Sequence, residues 1–139
     1  MFAAFPLLVL PVLFYNLDLL TLQGGLQTLD ASSQLAIPLF TIHMTSGGAW
    51  PVSLGDLFLG ASLVVLFIEL LKSTNSRNIA IINHSLSLIL FVGCLVEFLL
   101  LQGFATSVFF LITLMVLLDV LAGFIVTIVS SRRDIDLDA

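Results

Sequence analysis

Four apolar runs, separated by short polar breaks, set the pattern of the chain: about Phe5 to Leu22, Leu54 to Leu71, Ile79 to Leu101 and Ala105 to Val129. A helix needs about 20 mostly apolar residues to cross roughly 30 Å of hydrocarbon. Each run is therefore predicted to be a transmembrane helix, over about 5–22, 54–71, 79–101 and 105–129. Pro6 falls near the start of the first, and Pro11 is expected to kink it. The N-terminal run has no basic n-region and only a poor small-residue site after it, so it is read as an uncleaved first span and not as a signal peptide. The fold class that follows is an all-α integral membrane protein, a four-transmembrane-helix bundle forming a single membrane domain over 1–139.

The longest break, residues 23–53, reads "QGGLQTLDASSQLAIPLFTIHMTSGGAWPVS". Within it "LAIPLFTIHM" is too short to span, and Pro38 opposes a regular helix through its middle. An interfacial or re-entrant segment, or a short extended piece packed over the helices, is expected there. "TSGGAWP" reads as a turn, and Trp50 suits the membrane–water boundary as an interfacial anchor. The 23–53 region is thus predicted to be a structured loop.

Few bases are present, and all agree on one orientation. Lys72 and Arg77 flank the break between spans two and three, and Arg132 and Arg133 follow span four. With four spans both sites share a side, which the positive-inside rule makes cytoplasmic. The prediction is N-in and C-in, with the 23–53 loop and the "QGF" turn facing outward and a cytoplasmic tail over 130–139. A bacterial inner (cytoplasmic) membrane is the expected location. The tail "RRDIDLDA" is read as a solvated end, too short for an amphipathic lipid-surface helix.

Composition points the same way. Of 139 residues 60% are apolar and 9% charged, with a mean hydropathy of +1.23, whereas soluble domains are about 45–50% apolar and about 25% charged. Nine acids against four bases give a net charge of −5. No basic patch exists to displace counterions, so nucleic acid is excluded as a partner. Cys94 is the single cysteine and lies in an apolar run, which leaves no intramolecular disulfide and suits a small apolar filler. His43 and His84 lack ligands at metal spacing, and no phosphate loop or nucleophile elbow is present. No catalytic residue, metal or cofactor is assigned.

What remains is a set of ionisable groups inside apolar runs. Asp119 sits in "LMVLLDVLAGFIV", where a centred aspartate costs about 2.5–3.5 kcal/mol on insertion scales. It should face the bundle interior as a neutral acid. Reflecting positions through the predicted turns sets Glu69 opposite Asn83 and His84, Asp119 opposite Ser87, and Glu97 opposite Asp56, which predicts an inner Glu69–His84 pair, a central Asp119–Ser87 contact and an outer Asp56–Glu97 pair. Spacing places Asn83, Ser87, Leu90, Cys94 and Glu97 on one face of span three, and Gly55, Ser62 and Glu69 on one face of span two. In span four Ala122 and Gly123 follow Asp119 on its side and let a helix approach. Ser62, Ser87, Ala122 and Gly123 are the predicted packing positions, and Asp119, Glu97, Asp56, Glu69 and His84 the polar candidates for an ion pathway. Each also has a plainer reading. Asp119 and His84 suit polar ties between helices, Glu69 can pair with Lys72 at i+3, and Asp56 suits a helix N-terminus.

Three functions compete on these grounds. The first is an accessory or scaffold subunit that packs against itself or other membrane-protein helices in the lipid bilayer. The second is an oligomer conducting protons or cations through its carboxylates. The third, an intramembrane enzyme on lipid or quinone using an Asp56–Glu97 pair near His43, has the least support, so the chain is not expected to be an enzyme.

Overall fold

The computed structural model describes residues 4–73 and 77–138. Most of the predicted turn at 73–76 lies outside them. In chain order the elements are α1 (Val9–Thr21), α2 (Ala31–Leu35), β1 (Pro38–His43), β2 (Ala49–Ser53), α3 (Leu54–Lys72), α4 (Arg77–Leu100) and α5 (Ser107–Asp138), with a 3-10 turn at Gln102–Phe104 between the last two. The protein is mostly helical, and α3, α4 and α5 are long and apolar enough to cross a membrane. α5 packs against both α4 and α3, and α1 lies on α3 and α5.

The first predicted span is shorter than its apolar run suggests. α1 has 13 residues, about 20 Å at 1.5 Å per residue, which is less than a full crossing. Its start is fixed from outside: the Leu7 N–H donates to Glu69 Oε2 at 2.8 Å instead of to a helical carbonyl, and Lys72 Nζ donates to the Phe5 carbonyl at 2.7 Å. Residues 5–8 thus lie against the C-terminal end of α3 in a non-helical path. Its end is fixed by Gly24 and Gly25, at φ +82° and +123°; the Gly25 N–H reaches back to the Leu19 carbonyl at 2.8 Å, a glycine reversal that stops a helix. The kink expected at Pro11 has no cause here. Pro11 is the third helical residue, where the N–H would have no intrahelical partner anyway.

The 23–53 region combines a strap with a hairpin. The Gly103 N–H donates to the Leu26 carbonyl at 2.9 Å and the Gln102 N–H to Gln27 Oε1 at 3.2 Å, so the strap crosses the α4–α5 turn. A side chain at Gly103 would meet the Leu26 carbonyl at 2.8 Å and Leu19 Cδ1 at 3.0 Å, which is why the turn needs glycine. The segment expected to be interfacial, re-entrant or extended is extended. β1 and β2 pair antiparallel, with Phe40 opposite Val52 and Ile42 opposite Trp50. Pro38 stands first in β1, where a missing N–H does no harm. Gly47 at φ +86° closes the turn, its N–H on the Met44 carbonyl at 3.0 Å. The strands do not pack over the helices: all of β1 is exposed, and only Val52 of β2 is buried.

β2 runs straight into α3 through a capping box. The Ser53 hydroxyl accepts from the Asp56 N–H at 3.3 Å, and Asp56 Oδ2 accepts from the Ser53 N–H at 2.9 Å. At the other end of the chain the predicted tail is helical, because α5 continues to Asp138. Nothing after Gly123 breaks a helix, since residues 124–139 hold neither glycine nor proline. At 32 residues, about 48 Å, α5 outruns the hydrocarbon thickness, and its last turns carry Arg132, Arg133, Asp134, Asp136 and Asp138.

The apolar core sits where α1, α3 and α5 meet the turn. Tyr15, Phe104 and Phe109 are fully buried, with ring centroids 4.7–5.5 Å apart in the tilted and edge-on arrangements aromatic pairs prefer. The Tyr15 hydroxyl donates to the Gly103 carbonyl at 3.1 Å and lies 2.6 Å from Thr106 Oγ1. Cys94 is buried beside this core as the small filler it was read to be.

Candidate functional site: a buried polar seam

The α3 positions predicted to share a face, Gly55, Ser62 and Glu69, are all buried, and Leu66 is buried with them. The Ser62 hydroxyl turns back onto its own helix, donating to the Phe58 carbonyl at 2.6 Å. Ser62 therefore offers neighbours a small surface whose one donor is already used. On α5 the inward face includes Val116, Asp119, Val120 and Gly123, with Ala122 at its edge.

Glu69 is completely buried and is the hub of the seam. Oε2 accepts from the Leu7 N–H and from Lys72 Nζ, the latter at 3.2 Å, and Oε1 accepts from the Asn83 side-chain amide of α4. Lys72, 19% exposed, forms the ion pair with it. One carboxylate thus holds the chain before α1, the end of α3 and the start of α4. That is more than the i+3 pair with Lys72 supplies. A carboxylate can accept about four hydrogen bonds, and here the partners come from three parts of the sequence.

One turn further along α4, the Ser87 hydroxyl donates to Asp119 Oδ2 at 2.6 Å, and both residues are fully buried. His84 lies between the Asn83–Glu69 and Ser87–Asp119 contacts on α4, with its ring against Gly123. A methyl group built on Gly123 would overlap that imidazole, so this small residue of α5 makes room for a side chain of the neighbouring helix α4. The ring also lines a groove of about 250 Å³ between α4 and α5, with Ile81, Ser85, Leu88, Phe124 and Thr127.

The seam has spare polar capacity. Asp119 Oδ1, Asn83 Oδ1 and both ring nitrogens of His84 are buried without a hydrogen-bond partner among the described residues. Each such group costs about 1–3 kcal/mol when left unmet. Four of them fall within two turns of α4 and the facing turn of α5.

The inner pair expected between Glu69 and His84 does not form, because Glu69 takes its bond from α4 through the neighbouring Asn83 amide and neither His84 nitrogen has a hydrogen-bond partner among the described residues. The outer pair expected between Asp56 and Glu97 does not form either. Asp56 is exposed and committed to Ser53, whose N–H and hydroxyl both donate to its Oδ2 at 2.9 Å. Glu97 faces the Asn16 side chain of α1 instead. The helix N-terminus won over the cross-bundle contact because a cap three residues away costs far less chain entropy. His43 and Trp50 lie on the exposed hairpin, Trp50 at 47% exposure. Sequence reasoning did not single out Tyr15 with Thr106, and it placed Asp18 near the outer end of the first span without assigning the partner it has, the Gln23 amide. A lone tyrosine in an apolar run was the available signal for the first pair.

A second concavity runs between α1 and α3. It holds about 500 Å³ and is lined by Leu10, Phe14, Leu17, Leu57, Phe58 and Ala61, with Asp18 and Thr21 towards one end. Among the described residues no group of three or more His, Cys, Asp and Glu side chains could hold a metal ion. Compared with models of known families, with curated proteins and with solved structures, the chain matches none of them.

Proposed function

We propose that the chain is a small polytopic membrane protein acting as an accessory or scaffold subunit, assembled by helix packing with copies of itself or within a larger membrane complex. The observation that carries this reading is Glu69: a fully buried carboxylate is spent on three structural partners. Asp119 likewise ties α4 to α5 through Ser87. Interhelical hydrogen bonds in bilayers contribute about 0.6 kcal/mol each, up to about 1.7, which suits groups that fix register more than they add stability. The open apolar groove between α1 and α3 offers a seat for a partner helix.

The topology belongs to the same proposal. Residues 5–8 lie at the Glu69 end of α3, while Leu19 lies beside Gly103 at the opposite end. The N-terminal segment therefore covers the height of the bundle although its helix is short. Four crossings with Lys72, Arg77, Arg132 and Arg133 together on the cytoplasmic side of an inner membrane fit that path.

A second reading, a proton or cation pathway, is favoured by one observation, the cluster of unmet polar atoms on Asn83, His84 and Asp119. Ionisable groups inside spans mark such pathways by default. Native mass spectrometry after gentle extraction, followed by flux measurements in proteoliposomes, separates the two. The scaffold reading expects a discrete complex, no flux, and an Asp119→Asn variant that assembles as the wild type does, because an amide still accepts from Ser87. Wild-type flux abolished by Asp119→Asn would replace the scaffold reading with the pathway.

A further inference from the structure

The β1–β2 hairpin has one apolar and one mixed face. Register puts Phe40, Ile42, Trp50 and Val52 on one side and Thr41, His43, Ala49 and Pro51 on the other. Cross-strand neighbours on one face contact each other and stabilise the pair. Val52, next to the start of α3, is buried at 3% exposure, but Phe40, Ile42 and Trp50 stand 50%, 40% and 47% exposed. A two-stranded hairpin is at best marginally stable in water by itself, so this one needs a surface.

Two further features identify that surface. No Asp, Glu, Lys or Arg occurs between Asp30 and Asp56, a gap that includes the whole hairpin. The strand also leads without a linker into α3, whose apolar run begins at Leu54. The hairpin is thus continuous with the boundary where α3 enters the hydrocarbon. Both its edges carry unpaired backbone groups, which hydrocarbon does not tolerate and the hydrated headgroup layer does. A five-residue strand is about 17 Å long, against a headgroup layer of about 6 Å on each side. Standing upright, the hairpin would carry its apolar face well into water. Lying flat keeps that face on the acyl boundary and the edges hydrated.

We propose that this hairpin is a lipid-contacting element, lying flat in the headgroup layer with Phe40, Ile42 and Trp50 turned toward the acyl chains. The proposal rests on the membrane reading of α3, α4 and α5 and not on the scaffold function.

Trp50 is the only tryptophan in the chain, so its emission reports on the hairpin without ambiguity. The full-length protein would be reconstituted into phosphatidylcholine vesicles, floated on a density gradient, and titrated with aqueous iodide. Parallel vesicles would carry lipid brominated either near the glycerol end or near the methyl end of the acyl chain. The expected result is blue-shifted emission, mostly lost to bromine near the glycerol end, less affected by deep bromine and little affected by iodide. Floating protein whose Trp50 is quenched by iodide and not by bromine would place the hairpin in water and overturn the proposal. Protection from both quenchers would place a second protein surface there and overturn it too. A chain that stays behind when the vesicles float would overturn the membrane reading with it.

Discussion

The contact between His84 and Gly123 gives the sharpest test of how α4 and α5 are held. Gly123→Ala adds a single methyl group, but that methyl would occupy the volume of the imidazole. The ring cannot yield inward, where Ser87 and Asp119 are fully buried. It can only swing toward the groove beside Ile81, Leu88 and Phe124, which takes two polar nitrogens toward lipid. Overpacking of this kind costs about 1–3 kcal/mol. His84→Ala should cost little in comparison, because it removes two buried polar atoms that have no hydrogen-bond partner among the described residues along with the ring. The double variant has room for the new methyl, so the two substitutions should couple, with an interaction energy of opposite sign and of the same order, about 1–3 kcal/mol. The assay is reversible unfolding of purified protein in mixed micelles, with helicity and Trp50 emission as independent probes. Strictly additive effects would refute the argument, as would Gly123→Ala with wild-type stability.

Two more substitutions test the ends of the bundle. Glu69→Leu strips the acceptor from the Leu7 N–H and the Asn83 amide; at about 1–3 kcal/mol per stranded donor it should destabilise by several kcal/mol. Hydrogen exchange should then rise first at residues 5–8, and unchanged protection there would show that Glu69 does not hold that segment. At the opposite end Gly103→Ala forces a side chain against the Leu26 carbonyl. It should lower stability by about 1–3 kcal/mol and raise protease cleavage in the 22–30 strap, whereas a variant as resistant as the wild type would mean that the strap does not depend on this close approach.

Reflection through the turns located polar contacts well where two conditions held. Ser87 and Asp119 lie on helices joined by a tight turn, and Glu69 and Asn83 on helices separated by few residues in sequence. Each group is also buried, so it must find a partner at its own depth. The same procedure paired Glu69 with His84, one position past its actual partner Asn83, and it failed outright for Asp56 and Glu97. The sequence held the reason, since Ser53 three residues before Asp56 is a capping-box spacing, and a local cap outcompetes a contact across the bundle. The length of α1 was not legible in the same way. Its apolar run is long enough to span, and it is cut short by a backbone N–H that bonds to a carboxylate 62 positions away. Hydropathy has no term for that.

Apolar patterning and polar placement therefore inform on different levels of this structure. Leucine, isoleucine and valine cover α3, α4 and α5 on nearly every face, because lipid accepts them as readily as a helix does. They mark which segments are helical and long, and say little about which side faces in. The hairpin was ambiguous for the same reason: "LAIPLFTIHM" fits a membrane surface as a short helix or as a strand, and Pro38 with Gly47 decided between them through backbone geometry. A buried polar group has far fewer acceptable positions. Glu69, Asn83, Ser87 and Asp119 each need a specific neighbour at a specific depth, so these few residues fix the register of α3, α4 and α5. The His84–Gly123 contact completes that register by shape. If Gly123→Ala and His84→Ala couple as expected, the packing of α4 on α5 is set by one polar bond and one notch a single turn apart, and the surrounding apolar residues follow.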